Sequence, residues 1–303
     1  MSNFPSPIVV RLGDSGKANP FTVLVVANPA LEAPWNSGAF YVDPITSNRS
    51  GFDACVRYVN ISLFGGLPHQ IEPVLGYPAI APHVRLLSLF HTGLPAEDRH
   101  SFVAQDSQSD MLVARRIPIR YFLTTEGIVA DIVYAISASG THARASAWYT
   151  SDDDAGNGVP FVVDGRSLHH RHHYLIPGTI GMHYTATSMT AVHEFQHAVS
   201  SYSNGQVVDL YVDSKPGLNN KNGRPIPHAF GTYGAPTFNS DLTRGPLSYP
   251  ASWVSYHCEI HDQLNPAIMD NYYHAPGGVP EVCQNDKITR EFVRDRVLAK
   301  IAR

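Results

Sequence analysis

The residues in this chain whose types and spacing suit chemistry are those of the run His193-Glu194-Phe195-Gln196-His197. On a helix, positions i and i+4 stand one turn apart on the same face, so two imidazoles there reach one ion, and a carboxylate between them sits beside the position left open. Zinc is the ion this donor pattern suits, and one catalytic Zn2+ is the expected cofactor. Such an ion polarises a carbonyl and lowers the pKa of a bound water toward about 7. Glu194 is then placed to take that water's proton and hand it to a leaving group. The pattern points to hydrolysis.

Two histidines and a water leave a tetrahedral ion one protein ligand short. After the helix, Asn204-Gly205 reads as a left-handed stop, and the following QVVDLYVD would carry Asp209 back past the ligand face. Asp209 is the expected third ligand, with Glu259, His257 and Asp213 as alternatives. A tetrahedral oxyanion also needs a donor besides the metal. Tyr211 and Tyr272 are the expected phenols, with Tyr273 and His257 behind them. Farther on, NPAIMDNYY places Met269 in a compact turn similar to the Met-turn of metzincins, where a methionine lies beneath the metal as an apolar floor.

These residues need a frame. The ligand helix is expected from TSMTAVHEFQHAVSSYSNG, capped by Thr187 or Ser188, with Met189, Val192 and Val199 as its apolar stripe and Asn204-Gly205 as its end. FTVLVVA (Phe21 to Ala27), VRLLSLF (Val84 to Phe90) and ADIVYAISAS (Ala130 to Ser139) read as buried strands bounded by turn residues. If the last edges the sheet beside the ligand helix, an extended peptide could add there as a further strand. GFDACVRYVNISLF has helical spacing up to Gly65-Gly66, and MLVARRIPIRYFLTTEG predicts a helix broken near Pro118. Residues from about 150 to 180 read as loops with a hairpin around Phe161 to Val163, residues from about Asp213 to Ser252 as a long irregular rim, and DKITREFVRDRVLAKIAR as an amphipathic helix. The expected fold class is α/β (α+β), with a mixed sheet, over a single domain spanning 1–303. Within it, 1–185 and 205–303 would be subdomains flanking the ligand helix.

Composition narrows the partners. The chain has 303 residues, of which 43% are hydrophobic and 16% charged, enough apolar material for a large core. A formal charge of -4 and the lack of a basic run with interleaved aromatics argue against nucleic acid. No stretch of about 18 apolar residues exists to cross a membrane, and the N-terminus lacks the pattern of an export signal, so a cytoplasmic protein is expected. The three cysteines, Cys55, Cys258 and Cys283, are too scattered for a disulfide framework; Cys258–Cys283 is the one conceivable bridge. HHRHH (His169 to His173) and DDDAGNG (Asp152 to Gly158) read as solvated loops in preference to further metal sites. Nothing in the sequence indicates an oligomeric state.

HEFQHAVSSYSNGQVVDLY, followed by PAIMDNYY and VCQNDKITREF, resembles the catalytic domain of the IgA-peptidase-like zinc metallopeptidases, a metzincin-related family of bacterial enzymes. The FTVLVVA, VRLLSLF and DIVYAISASGTHARASAW segments fall in the order of that family's core elements. The resemblance implies a zincin-like fold, a peptide or protein substrate, His193, His197 and Asp209 as zinc ligands, Glu194 as base and Met269 as the Met-turn residue. Gln196 stands where that family has Gly, and the stretch from His197 to Asp209 is longer than the metzincin spacing. Two other functions suit the same motif: a non-catalytic zincin-like binding or structural protein, and a zinc amidase acting on a small molecule.

Overall fold

The computed structural model describes residues 4–13, 20–65, 73–106, 111–140, 144–148, 150, 161–163, 166–168, 177–186, 188–200, 206–207, 238–239, 254–256, 268–269 and 287–302. It is a mixed α/β structure, and its centre is a six-stranded sheet. In chain order the strands are β1 (Ile8–Arg11), β2 (Phe21–Ala27), β3 (Ala30–Glu32), β4 (Phe40–Val42), β5 (Val84–Leu89), β6 (Ser101–Asp106), β7 (Met111–Ala114), β8 (Ile132–Ser137), β9 (Ser146–Trp148), β10 (Phe161–Val163), β11 (Arg166–Leu168), β12 (Gly178–His183), β13 (Gln206–Val207), β14 (Phe238–Asn239) and β15 (Val254–Tyr256). The helices are α1 (Arg49–Phe64), α2 (Arg116–Glu126), α3 (Ser188–Val199) and α4 (Lys287–Ile301).

The central sheet runs β1-β5-β2-β8-β12-β9. Its four inner strands are parallel, and the two edge strands, β1 and β9, are antiparallel to their neighbours. Inner parallel strands are covered on both faces, which is why β2 and β8 are mostly apolar and wholly buried. Alternate residues serve two cores. Phe21, Val23, Val25, Ile132, Tyr134, Ile136, Ile180 and Met182 face α1, α3 and α4. Leu24, Val26, Leu87, Leu89, Val133 and Ala135 face α2 and the second sheet, ordered β4-β3-β6-β7. Each fully buried Val, Leu, Ile or Phe contributes about 1.5–3 kcal/mol relative to exposure, so these two interfaces dominate the stability of the described structure.

Three sequence expectations change here. Pro118 does not break a helix: Met111–Ala114 form β7, α2 begins at Arg116, and the proline occupies the first turn, where a missing N–H removes no helical bond. ADIVYAISAS does not edge the sheet, because β8 pairs with β2 on one side and β12 on the other, and the strand at the edge beside α3 is β9. Helix α3 ends at Val199, where the Ser200 hydroxyl donates to the Gln196 carbonyl and the Ser200 N–H to the His197 carbonyl; the expected stop at Asn204-Gly205 lies outside the described residues.

Strand β12 begins inside the stretch expected to be loops, at Gly178, and its two glycines hide it. A Cβ at Gly178 would lie 2.1 Å from the Ala198 carbonyl oxygen of α3, and one at Gly181 would lie 2.7 Å from the Leu112 carbonyl oxygen of β7. Both positions must be bare for the strand to be pressed from its two faces, although glycine lowers strand propensity. The other expected strands and helices form: α1 stops at Gly65 in the left-handed conformation at φ 87, β10 and β11 make the hairpin, and α4 buries Phe292, Val293 and Val297. Among the described residues no helix is long and apolar enough to cross a membrane.

Candidate metal centre

Helix α3 lies against the sheet through Met189, Ala191, Val192, Phe195, Ala198 and Val199. That stripe fixes the rotation of the helix and sets His193, Glu194 and His197 relative to the protein. His193 and Glu194 are buried, at 5% and 7% exposure, and His197 is half-buried. The two imidazole rings stand nearly perpendicular, at 81° with centroids 4.9 Å apart, and their Nε2 atoms converge to 3.2 Å.

The far side of each ring determines what that convergence means. His193 Nδ1 lies 2.8 Å from the Ile268 carbonyl oxygen, and His197 Nδ1 lies 2.8 Å from the Val207 carbonyl oxygen. A carbonyl only accepts, so each Nδ1 must carry the proton and donate it. In a neutral imidazole the proton at Nδ1 leaves a lone pair at Nε2. Two lone pairs thus face each other at 3.2 Å, an arrangement suited to a cation between them, either a shared proton or a metal ion. Two nitrogens bound to one tetrahedral zinc at about 2.0–2.1 Å stand about 3.3–3.4 Å apart, which fits the separation found. Hydrogen bonding of Nδ1 to a carbonyl is also the usual outer support of a ligand histidine, fixing its tautomer and raising the basicity of the coordinating nitrogen.

The supporting carbonyls come from segments remote in sequence. Val207 is in β13, ten residues beyond His197, and Ile268 adjoins Met269, seventy-five residues beyond His193. Val207, Ile268 and Met269 are all buried in the core cluster that includes the apolar stripe of α3. Neither carbonyl could have been named from sequence, because a backbone acceptor carries no side-chain signature. The run of apolar residues around each was the sole trace.

Beneath the helix, Tyr134 of β8 donates a 2.7 Å hydrogen bond to the Ala191 carbonyl. Burial, with the negative charge of Glu194 nearby, pushes its phenol well above the ordinary value, so it stays a donor. Sequence reading missed this residue because a tyrosine in an apolar strand looks like core. On the other side of the sheet edge, β9 pairs with β12 at Thr179 to Gly181 and packs beside α3, and the Thr150 N–H bonds the Ala198 and Ser200 carbonyls at the end of that helix.

His193, Glu194, His197 and Met269 are therefore brought into one neighbourhood of the fold. Asp209, Tyr211 and Tyr272 lie outside the described residues, as do Glu259, His257, Asp213, Tyr273, the His169–His173 and Asp152–Gly158 runs, and Cys258 and Cys283. Among the described residues, no group of three or more His, Cys, Asp or Glu side chains is gathered that could hold a metal ion. The two imidazoles suit zinc as donors and would need a ligand from elsewhere in the chain. Comparison with protein-family models, with curated proteins and with solved structures returns no match.

Proposed function

We propose that this protein is a zinc-dependent hydrolase of the zincin type and, more narrowly, a peptidase. The observation that carries the reading is the pair of Nε2 atoms held 3.2 Å apart with both Nδ1 atoms committed to backbone carbonyls. One imidazole is buried and the other half-buried, and converging nitrogens of this kind suit a cation between them, so the arrangement argues for binding and against coincidence.

Zinc at this site would polarise the scissile carbonyl and acidify the attacking water. The chain supplies the rest. His193 and His197 hold the ion; their carbonyl partners keep both rings aimed without rearrangement. Glu194, one residue along the helix from a ligand, takes a proton from the water and returns it to the leaving nitrogen. Burial of Glu194 keeps bulk water away from that transfer and strengthens its electrostatics. The peptide preference rests on β9: an antiparallel edge strand beside the ligand helix has the geometry to align an extended chain by strand addition, which a small amide would not need.

The test is Glu194→Gln. Zinc should remain at one ion per chain while peptide cleavage falls by about 10²–10⁴-fold or more, because the carboxylate moves protons and is not a ligand. Cleavage at near wild-type rate in that variant would reject the mechanism, and a wild-type protein that binds no zinc would reject the site.

A further inference from the structure

The Val207 carbonyl that holds His197 is itself held. Strand β13 is two residues long and pairs with β15 on one side. Toward the helix, the Val207 N–H donates a 3.0 Å hydrogen bond to the Ser200 hydroxyl oxygen. That hydroxyl in turn donates at 3.0 Å to the Gln196 carbonyl in the last turn of α3. Ser200 is fully buried, Val207 is 1% exposed, and neither polar atom of the pair has water as an alternative partner. The N–H and C=O of Val207 thus both point at the end of the ligand helix, one into Ser200 and the other onto His197 Nδ1.

We infer that Ser200 is a positioning residue for the metal site: its hydroxyl clamps Val207 to the helix end and thereby fixes the carbonyl that orients His197. The inference rests on the zinc reading above for its consequence and on the hydrogen bonds alone for its mechanism. A serine at this point does what the backbone cannot. Helix α3 ends at Val199, where the Ser200 N–H turns to the His197 carbonyl, and among the described residues β13 pairs with β15 alone. One hydroxyl, a donor and an acceptor at once, bonds the Gln196 carbonyl and the Val207 N–H and ties the two segments together. Alanine would leave the buried Val207 N–H to find a new partner, and β13 would move to find it. His193 would not feel the change directly, because its Nδ1 is held by Ile268 from a different segment.

The experiment uses the full-length chain, wild type, Ser200→Ala and Ser200→Thr, with selectively 15N-labelled histidine. Zinc affinity is measured by competition with a chromophoric chelator, and the imidazole Nδ1–H protons are followed by NMR in the metal-free protein. Ser200→Ala should weaken zinc binding by roughly 10–100-fold, the usual cost of losing an outer partner of a ligand. Its His197 Nδ1–H signal should be lost to solvent exchange while that of His193 persists, and Ser200→Thr, which keeps the hydroxyl, should restore both readouts. Unchanged affinity with an unchanged His197 signal in Ser200→Ala overturns the inference. So does parallel loss of both histidine signals, which would make Ser200 a general stabiliser of the fold. If wild type binds no zinc, the metal reading fails, and the NMR comparison still decides whether Ser200 positions His197.

Discussion

The Tyr134 hydroxyl donates its hydrogen bond to the Ala191 carbonyl, so strand β8 is fastened to α3 three residues ahead of Glu194 and two ahead of His193. Apolar packing alone lets a helix slide or rotate slightly on a sheet; a directed bond from a fully buried phenol removes that freedom. Tyr134→Phe should cost about 1 kcal/mol of stability, the net worth of one hydrogen bond, since Ala191 keeps its helical partner. Equilibrium urea unfolding measures it, and a change below about 0.3 kcal/mol would show that the phenol does not anchor the helix.

His193→Ala and His197→Ala should each weaken zinc binding by more than the roughly 10–100-fold that loss of an outer partner costs, and each should abolish hydrolysis. Metal content after dialysis, with circular dichroism to verify the fold, reads the result. Either variant holding zinc at wild-type affinity would remove that residue from the ligand set.

Asp209, the expected third ligand, lies outside the described residues. Asp209→Ala should weaken zinc binding strongly, and Glu259→Ala should leave it unchanged. The chain does return to α3 at Val207, two residues before Asp209, as the carbonyl on His197 demonstrates. The length of the intervening loop is a small obstacle, because closure entropy grows by only about 0.6 kcal/mol per doubling. The reverse pattern in the two variants would transfer the role to Glu259.

Cys55 gives a prediction about pH. The thiol lies in α1 within the core, and burial pushes its pKa from 9.0 up to about 12. Below pH 9 the thiol is protonated in folded and unfolded chains alike. Above it the unfolded chain ionises first, so this group's contribution to stability is lost as pH rises toward the folded value. Relative to Cys55→Ala, which has no thiol to ionise, wild type should lose about 2 kcal/mol between pH 8 and pH 10.5. A stability difference that stays constant over that interval would mean the folded thiol titrates normally. At neutral pH the native thiol should resist alkylation.

Much of the frame was legible because its signals are local. A run rich in apolar and β-branched residues such as FTVLVVA is satisfied by burial on both faces, and a 3.6-residue apolar stripe beside caps reads as an amphipathic helix. The i, i+4 spacing of His193 and His197 belongs to the same class, since helix geometry converts it directly into two rings on one face. Where reading failed, the deciding contact was distant. Gly178 and Gly181 look like loop residues until α3 and β7 press against them, and β8 looks like an edge until β12 is known to pair with it.

What the sequence by itself determined, then, is the identity of the groups that could meet a metal, because side-chain chemistry and helical period travel with the chain. What only tertiary structure decided is their state. The tautomer of each histidine is set by Val207 and Ile268, and the 3.2 Å approach of the Nε2 atoms by the packing of α3 on the sheet. A backbone carbonyl has the same chemistry at every position, so which one orients a ligand is settled by where the fold brings the chain back.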